Sequence, residues 1–152
     1  MKKFFKYLFA FVFSVGIISQ SYAENPKSIL KNFAKRAEKH NVNGVLALID
    51  GSYKQVQLIG MLKQDTTQFL NELFCGKNIK DDSKFKCVGF NDIKKCTFTG
   101  MKKIKTPDIN KIYANAYFKV ETNAGEVYKV QLFLVRIQRS TDSLYRIAGA
   151  VG

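Results

Sequence analysis

The chain has 152 residues, with 25 Lys and Arg against 12 Asp and Glu, a formal net charge of +13, three cysteines and a single histidine. Its lysines are dispersed along the sequence instead of being gathered with aromatics into one segment, which is the pattern of a solvated surface and argues against a nucleic-acid-binding face. The length suits one domain with its own core, and no internal repeat, low-complexity tract or interdomain linker divides it.

The N-terminus reads Met1-Lys2-Lys3-Phe4-Phe5-Lys6, then an apolar run from Tyr7 to Ile18, then Ser21 and Ala23 at the minus-three and minus-one positions of a cleavage site. This is the layout of a secretory signal peptide over residues 1–23. The apolar run is shorter than the roughly 20 residues of a membrane span. Cleavage removes Lys2, Lys3 and Lys6, so 25 basic residues become 22 against 12 acidic ones, a net charge of +10. The expectation is a basic periplasmic protein, residues 24–152, with no membrane anchor after cleavage.

A helix is expected from Asn25 to His40. Asn25 caps, Pro26 suits the first turn, and Ile29, Leu30, Phe33, Ala34 and Ala37 share one arc. Lys27, Lys31, Lys35 and Lys39 form a stripe on the opposite side, which reads as the solvated face of an amphipathic helix, with an anion-binding patch as the sharper alternative. His40 falls in the last turn, where partial positive charge suits the helix dipole. The next run, Asn43 to Ile49, is short and apolar on all sides, a buried helical turn or a buried strand, ended by Asp50-Gly51. Ser52 with Gln55 reads as a capping box opening a helix to Leu62, with Val56, Ile59 and Leu62 inward. Asp65 with Gln68 reads as another, opening a helix to Cys75 with Phe69, Leu70, Leu73 and Phe74 inward. Gly76 is the expected stop.

Between Cys75 and Cys87 lies a polar loop, GKNIKDDSKFK. Disulfides persist in an exported protein, and a Cys75–Cys87 bridge closing this loop stabilises by about 3 kcal/mol in the loop-entropy model. Spacing alone leaves pairings with Cys96 open. Cys96 alternates with Phe98 and reads as a buried thiol.

From there the pattern is extended. Strands are expected over Ile93 to Lys105, Lys111 to Thr122, Glu126 to Gln138 and Leu144 to Val151, joined at Thr106-Pro107-Asp108, Asn123-Ala124-Gly125 and Ser140-Thr141-Asp142-Ser143. In the central hairpin, alternation puts Ile112, Ala114, Ala116, Phe118 and Val120 on one face, opposite Tyr128, Val130, Leu132 and Leu134. Ala114 and Ala116 leave room there for a closely approaching helix or for a cavity. The other face carries Tyr113, Asn115, Tyr117, Lys119 and Glu121 against Lys129, Gln131, Phe133 and Val135, half in water. Helices first and an antiparallel meander second make an α+β domain, its N-terminal helices on one face of a curved, long-stranded sheet.

The block SYKQVQLIGMLKQDTTQFLNELFCG, Ser52 to Gly76, followed by FNDI at Phe90 to Ile93 and long strands to the end, resembles the nuclear transport factor two-like superfamily, the cystatin-like α+β cone. The resemblance covers nearly all of the mature chain in element order. It implies a cone that binds a ligand or dimerises, or, alternatively, a small ketosteroid-isomerase-like or dehydratase-like enzyme with a carboxylate inside the cone. Asp92 is then the carboxylate to consider as a catalytic base; its bland counterpart is a strand-start residue bonded to local backbone.

No phosphate-binding loop, dinucleotide turn, zinc spacing or nucleophile elbow is present, so neither metal nor cofactor is expected. The functional expectation is a non-catalytic domain, holding a small apolar or anionic ligand between helices and sheet or pairing with an envelope protein. Tyr113, Tyr117, Phe133 and Val135 are the interface candidates, as an exposed patch for a homodimer.

Overall fold

The computed structural model describes residues 26–59, 65–105, 111–137 and 144–151. The expected signal peptide, the Asn25 cap and the turns at 106–108 and 140–143 lie outside these residues. Helix α1 spans Pro26–Glu38 and buries Ile29, Leu30, Phe33, Ala34 and Ala37, the arc its periodicity predicts. Helix α2, Val42–Leu46, is capped by Asn41, whose side chain accepts from the Gly44 N–H. Three residues past α2, Ile49 makes an isolated parallel bridge to Ile147. The ambiguous apolar run is thus a helical turn followed by a single sheet-like contact.

Helix α3, Gly51–Lys54, continues as a π-helical turn over Gln55–Ile59. Its cap is Asp50, whose carboxylate accepts from the Ser52 and Tyr53 N–H groups. This corrects the capping box expected at Ser52: an aspartate one residue before a glycine opens this helix instead of merely ending the run before it. The shift turns Val56 out to 54 % exposure, and Tyr53 and Leu58 pack against the core instead. Helix α4, Thr66–Glu72, opens at Asp65 as expected and buries Phe69 and Leu70, with Leu73 and Phe74 buried just beyond.

Among the described residues the sheet has six strands: β1 Cys75–Asn78, β2 Phe85–Cys87, β3 Ile93–Ile104, β4 Lys111–Thr122, β5 Val127–Ile137 and β6 Arg146–Val151. The order β2-β1-β5-β4-β3 is antiparallel throughout, and β6 pairs with β5. One edge of β5 is shared end to end, β1 taking residues 128–130 and β6 taking residues 131–135. The molecule is an α+β domain with a curved open sheet.

The segment read as a polar loop is the β1–β2 hairpin. Asp81 organises its turn, accepting from the Ser83 N–H and hydroxyl and pairing with Lys84. The Ser83 hydroxyl, and then its N–H, hold the Asp81 carboxyl below the usual carboxylate range. Gly76, expected to stop a helix, instead lies in β1 opposite Val130. A side chain there would run into the backbone carbonyl of Lys129, so this strand sits against β5 because residue 76 is glycine.

The central hairpin is in the expected register, with Ala114 opposite Leu134, Ala116 opposite Leu132, Phe118 opposite Val130 and Val120 opposite Tyr128, all eight buried. Its turn closes by the Gly125 N–H to the Thr122 carbonyl, with Gly125 at φ +78°, a conformation glycine adopts without strain. Strand β3 is bulged twice, after Ile93 and after Phe98. Each extra residue flips the alternation, so Ile93, Cys96, Phe98 and Met101 turn to the core despite their uneven spacing. Phe33 of α1 ties the layers together, its ring 5.8 Å from Phe74 and 5.4 Å from Phe118. Burying such a ring contributes on the order of 3 kcal/mol.

Gly76→Ala is expected to destabilise the fold by about 1–3 kcal/mol through forced displacement of β1 from β5, whereas Gly100→Ala, where a Cβ meets open space, leaves stability nearly unchanged. Urea midpoints of the two variants check this; equal midpoints would refute the close approach.

Candidate functional site

The face of the sheet turned away from α1 carries the site. In β1, β5 and β4, alternation places Lys77, Lys129 and Lys119 on this outer face, and the register pairs Lys77 with Lys129 and Lys129 with Lys119. Three lysines therefore stand side by side across three adjacent strands. With strands about 4.8 Å apart, the outer two backbones are roughly 10 Å from each other. All three side chains are exposed. Phe85 of β2, opposite Lys77, closes one end of the row, and Thr97 of β3, opposite Lys119, closes the other.

No acid among the described residues pairs with any of the three. Glu121, two residues along β4 on the same face, is 3.2 Å from Lys94, and Glu126 is 3.7 Å from Lys86. Directly opposed like charges on neighbouring strands destabilise a sheet, so this row works against the fold. It lies in a groove of about 610 Å³, lined also by Ile79, Asp82, Phe85, Thr99, Tyr117 and Gln131. Asp82 is the sole acid among the described lining residues. Thr99 is the second bulge residue of β3 and donates its hydroxyl to the Tyr117 carbonyl at 3.0 Å.

The interface candidates gather on this same face. Tyr113 and Val135 are paired neighbours, Tyr113 stacks on Phe133 at 5.3 Å, and Tyr117 lines the groove. They are half-buried, so the patch is less open than expected, because its rings cover one another. The large apolar residues that do stand exposed beside the row are Phe85 at 49 % and Ile79 at 39 %.

Other predicted residues stand apart from this face. Asp92 ends a single 3₁₀ turn, Phe90–Asp92, and is exposed. Its backbone carbonyl accepts from the Asn123 N–H and its side chain folds back over Gly89, the setting of a strand-start residue instead of a carboxylate in an apolar pocket. His40, just past α1 at φ +50°, has its Nε2 3.0 Å from the Ile93 carbonyl oxygen and its ring edge-on to Phe90. Its role in the structure is to dock the end of α1 on the start of β3. The stripe Lys27, Lys31, Lys35 and Lys39 is exposed, as the amphipathic pattern requires, and a shallow groove of about 470 Å³ runs between Lys27, Lys31 and Lys35. Between helices and sheet, where a ligand was expected, Ala114, Ala116 and Leu132 are wholly buried within one continuous core.

The Cys75–Cys87 disulfide is present and joins directly opposed residues of β1 and β2. It staples the hairpin that contributes Lys77, Ile79, Asp82 and Phe85 to the groove. Cys96 is a free, buried thiol, and its N–H donates to Glu38 of α1 at 2.9 Å. Among the described residues no cluster of His, Cys, Asp and Glu is arranged to hold a metal ion.

Compared with known proteins, the sequence matches no family model and no curated protein.

Burial, and secondarily the Glu38 carboxylate, pushes the Cys96 thiol up to about 12 from its ordinary 9.0. Folded protein thus keeps this proton between about pH 9 and 12 while the unfolded chain loses it. The stability linked to Cys96 is whole below pH 9 and falls as pH rises toward 12. Cys96→Ala is expected to flatten that decline in urea unfolding, and a disulfide-exchange reagent at pH 8 is expected to label wild-type Cys96 only after unfolding. Rapid labelling of native protein would contradict the burial.

Proposed function

We propose that this protein is an exported, non-catalytic binding domain of the nuclear transport factor two-like cone type, which takes up an anionic ligand on the outer face of its sheet. The row Lys77, Lys129 and Lys119 carries this reading. Three unneutralised charges at adjacent strand positions repel one another, and an anion seated among them turns that repulsion into attraction on all sides. Lysine serves phosphate and carboxylate as a point charge on a flexible stem, so three such stems can converge on one group. A groove of about 610 Å³ falls in the size range of small-ligand sites, about 300–1,000 Å³. The disulfide suits an oxidising compartment, in keeping with the N-terminal signal-like segment.

A homodimer formed through this face is the less favoured reading. Twofold symmetry brings a patch against its own copy; centred on the lysine row it would set like charge against like charge, and centred on the aromatic end it would use rings that already cover one another, Tyr113 on Phe133. An isomerase built on Asp92 has no support from the exposed position of that carboxylate.

The test is titration calorimetry with inorganic phosphate at low ionic strength. The triple variant Lys77→Gln, Lys119→Gln, Lys129→Gln is expected to lose at least tenfold in affinity, while Lys31→Gln on α1 leaves binding unchanged. Affinity is also expected to fall as salt is raised, because the charges are exposed. A triple variant that binds phosphate as wild type does would remove the reading.

A further inference from the structure

The lysine row accounts for the charge of the ligand but not for the rest of the groove. Phe85 and Ile79 are two large apolar side chains left exposed, at 49 % and 39 %, and both line it. They come from the same disulfide-stapled hairpin, Phe85 beside Lys77 at the end of the row and Ile79 two residues beyond Lys77. Tyr117, half-buried, adds an aromatic wall one step along β4 from the row, and Gln131 opposite it carries no charge. The groove therefore has a cationic floor, an apolar flank at the hairpin made by Phe85 and Ile79, and Tyr117 on the far side of the lysine row. A small inorganic anion would engage the first and leave the second in water, where apolar surface has no reason to be held in a ligand-sized groove.

We infer that the ligand is a single-chain anionic amphiphile, with a phosphate-monoester head held by Lys77, Lys129 and Lys119 and an apolar stem laid against Phe85 and Ile79 of the hairpin. A phosphate monoester carries a charge of about −1.5 to −2 near neutrality and three acceptor oxygens, which suits three ammonium donors better than the single charge of a carboxylate does. Asp82 stands exposed at the hairpin end of the groove, where it repels a second anionic head and favours one head with its stem directed toward the hairpin. This inference rests on the anion-binding reading above, and its experiment separates the two.

Butyl, hexyl and octyl phosphate, all below their micelle concentrations, are titrated by calorimetry into the mature disulfide-bonded protein, with inorganic phosphate and octanol as the two half-ligands. Affinity is expected to rise about threefold to fourfold for each methylene that becomes buried, so octyl phosphate binds far more tightly than inorganic phosphate. Phe85→Ser and Ile79→Ser, each checked for native circular dichroism, are expected to bring octyl phosphate down toward the affinity of inorganic phosphate without changing the latter. Equal affinity for octyl and inorganic phosphate would overturn the amphiphile while leaving the anion site standing. Octanol binding as tightly as octyl phosphate would overturn the assigned headgroup contacts. Binding confined to phosphatidic-acid vesicles, with no uptake of monomeric octyl phosphate, would make the face a membrane contact and overturn the inference. If neither octyl nor inorganic phosphate binds, both readings fall.

Discussion

The register of the β4–β5 hairpin is the constraint on which the rest of the structure depends. It is fixed at one end by the Thr122–Gly125 turn, and it assigns every side chain of both strands to a face. Ala114, Ala116, Phe118 and Val120 go to the core with their partners, and by the same stroke Lys119 and Lys129 meet on the outside. A slip of one residue would exchange the two sets. Burial of eight apolar side chains on one face thus holds two like charges together on the other. The free energy that makes this tolerable comes from the core, since each fully buried Leu or Phe contributes about 1.5–3 kcal/mol, more than a like-charge pair costs.

Much of this was legible in the sequence because it is local. The two hairpin strands alternate without interruption, and α1 shows its arc and stripe in 13 residues. Even the opposition of Lys119 and Lys129 can be read from the turn. What could not be read depends on contacts between distant segments. The segment after Cys75 looks like a loop because it is polar, short and rich in turn residues; it is a strand because Gly76 allows it against β5, which only the folded neighbour reveals. With β1 unrecognised, Lys77 had no place beside the other two lysines, and the site was invisible as a unit. The bulges of β3 hid its inward face for a related reason, since a flipped alternation has no signature in a pattern of period two. Asp50 was read as ending one element when it also begins the next, a choice that local chemistry leaves open.

The placement of the groove separates support from function. Helices pack on the inner face, where the core is continuous and aromatic rings from α1, the end of α4 and β4 touch. Among the described residues no helix packs on the outer face. Its aromatic end, Tyr113 on Phe133, shields itself, whereas its charged end is open. The hairpin wall of that open end rests on the covalent staple: Cys75 and Cys87 hold β2 against β1, and β1 in turn presents Lys77 to β5. A hairpin of four- and three-residue strands would be marginal alone; joined to the sheet edge and closed by a disulfide, it becomes a rigid side of the groove.

The central claim is that the lysine row is retained for an anion at the expense of the empty fold. The most direct measurement is the thermal midpoint of Lys129→Gln against wild type in about 10 mM ionic strength, where screening is weak. The middle charge of the row faces two others, so its neutralisation is predicted to raise the midpoint of the ligand-free protein, with the gain vanishing in 1 M salt or at saturating phosphate. A midpoint for Lys129→Gln at or below that of wild type in low salt would show that the three charges do not oppose one another, and would contradict the account.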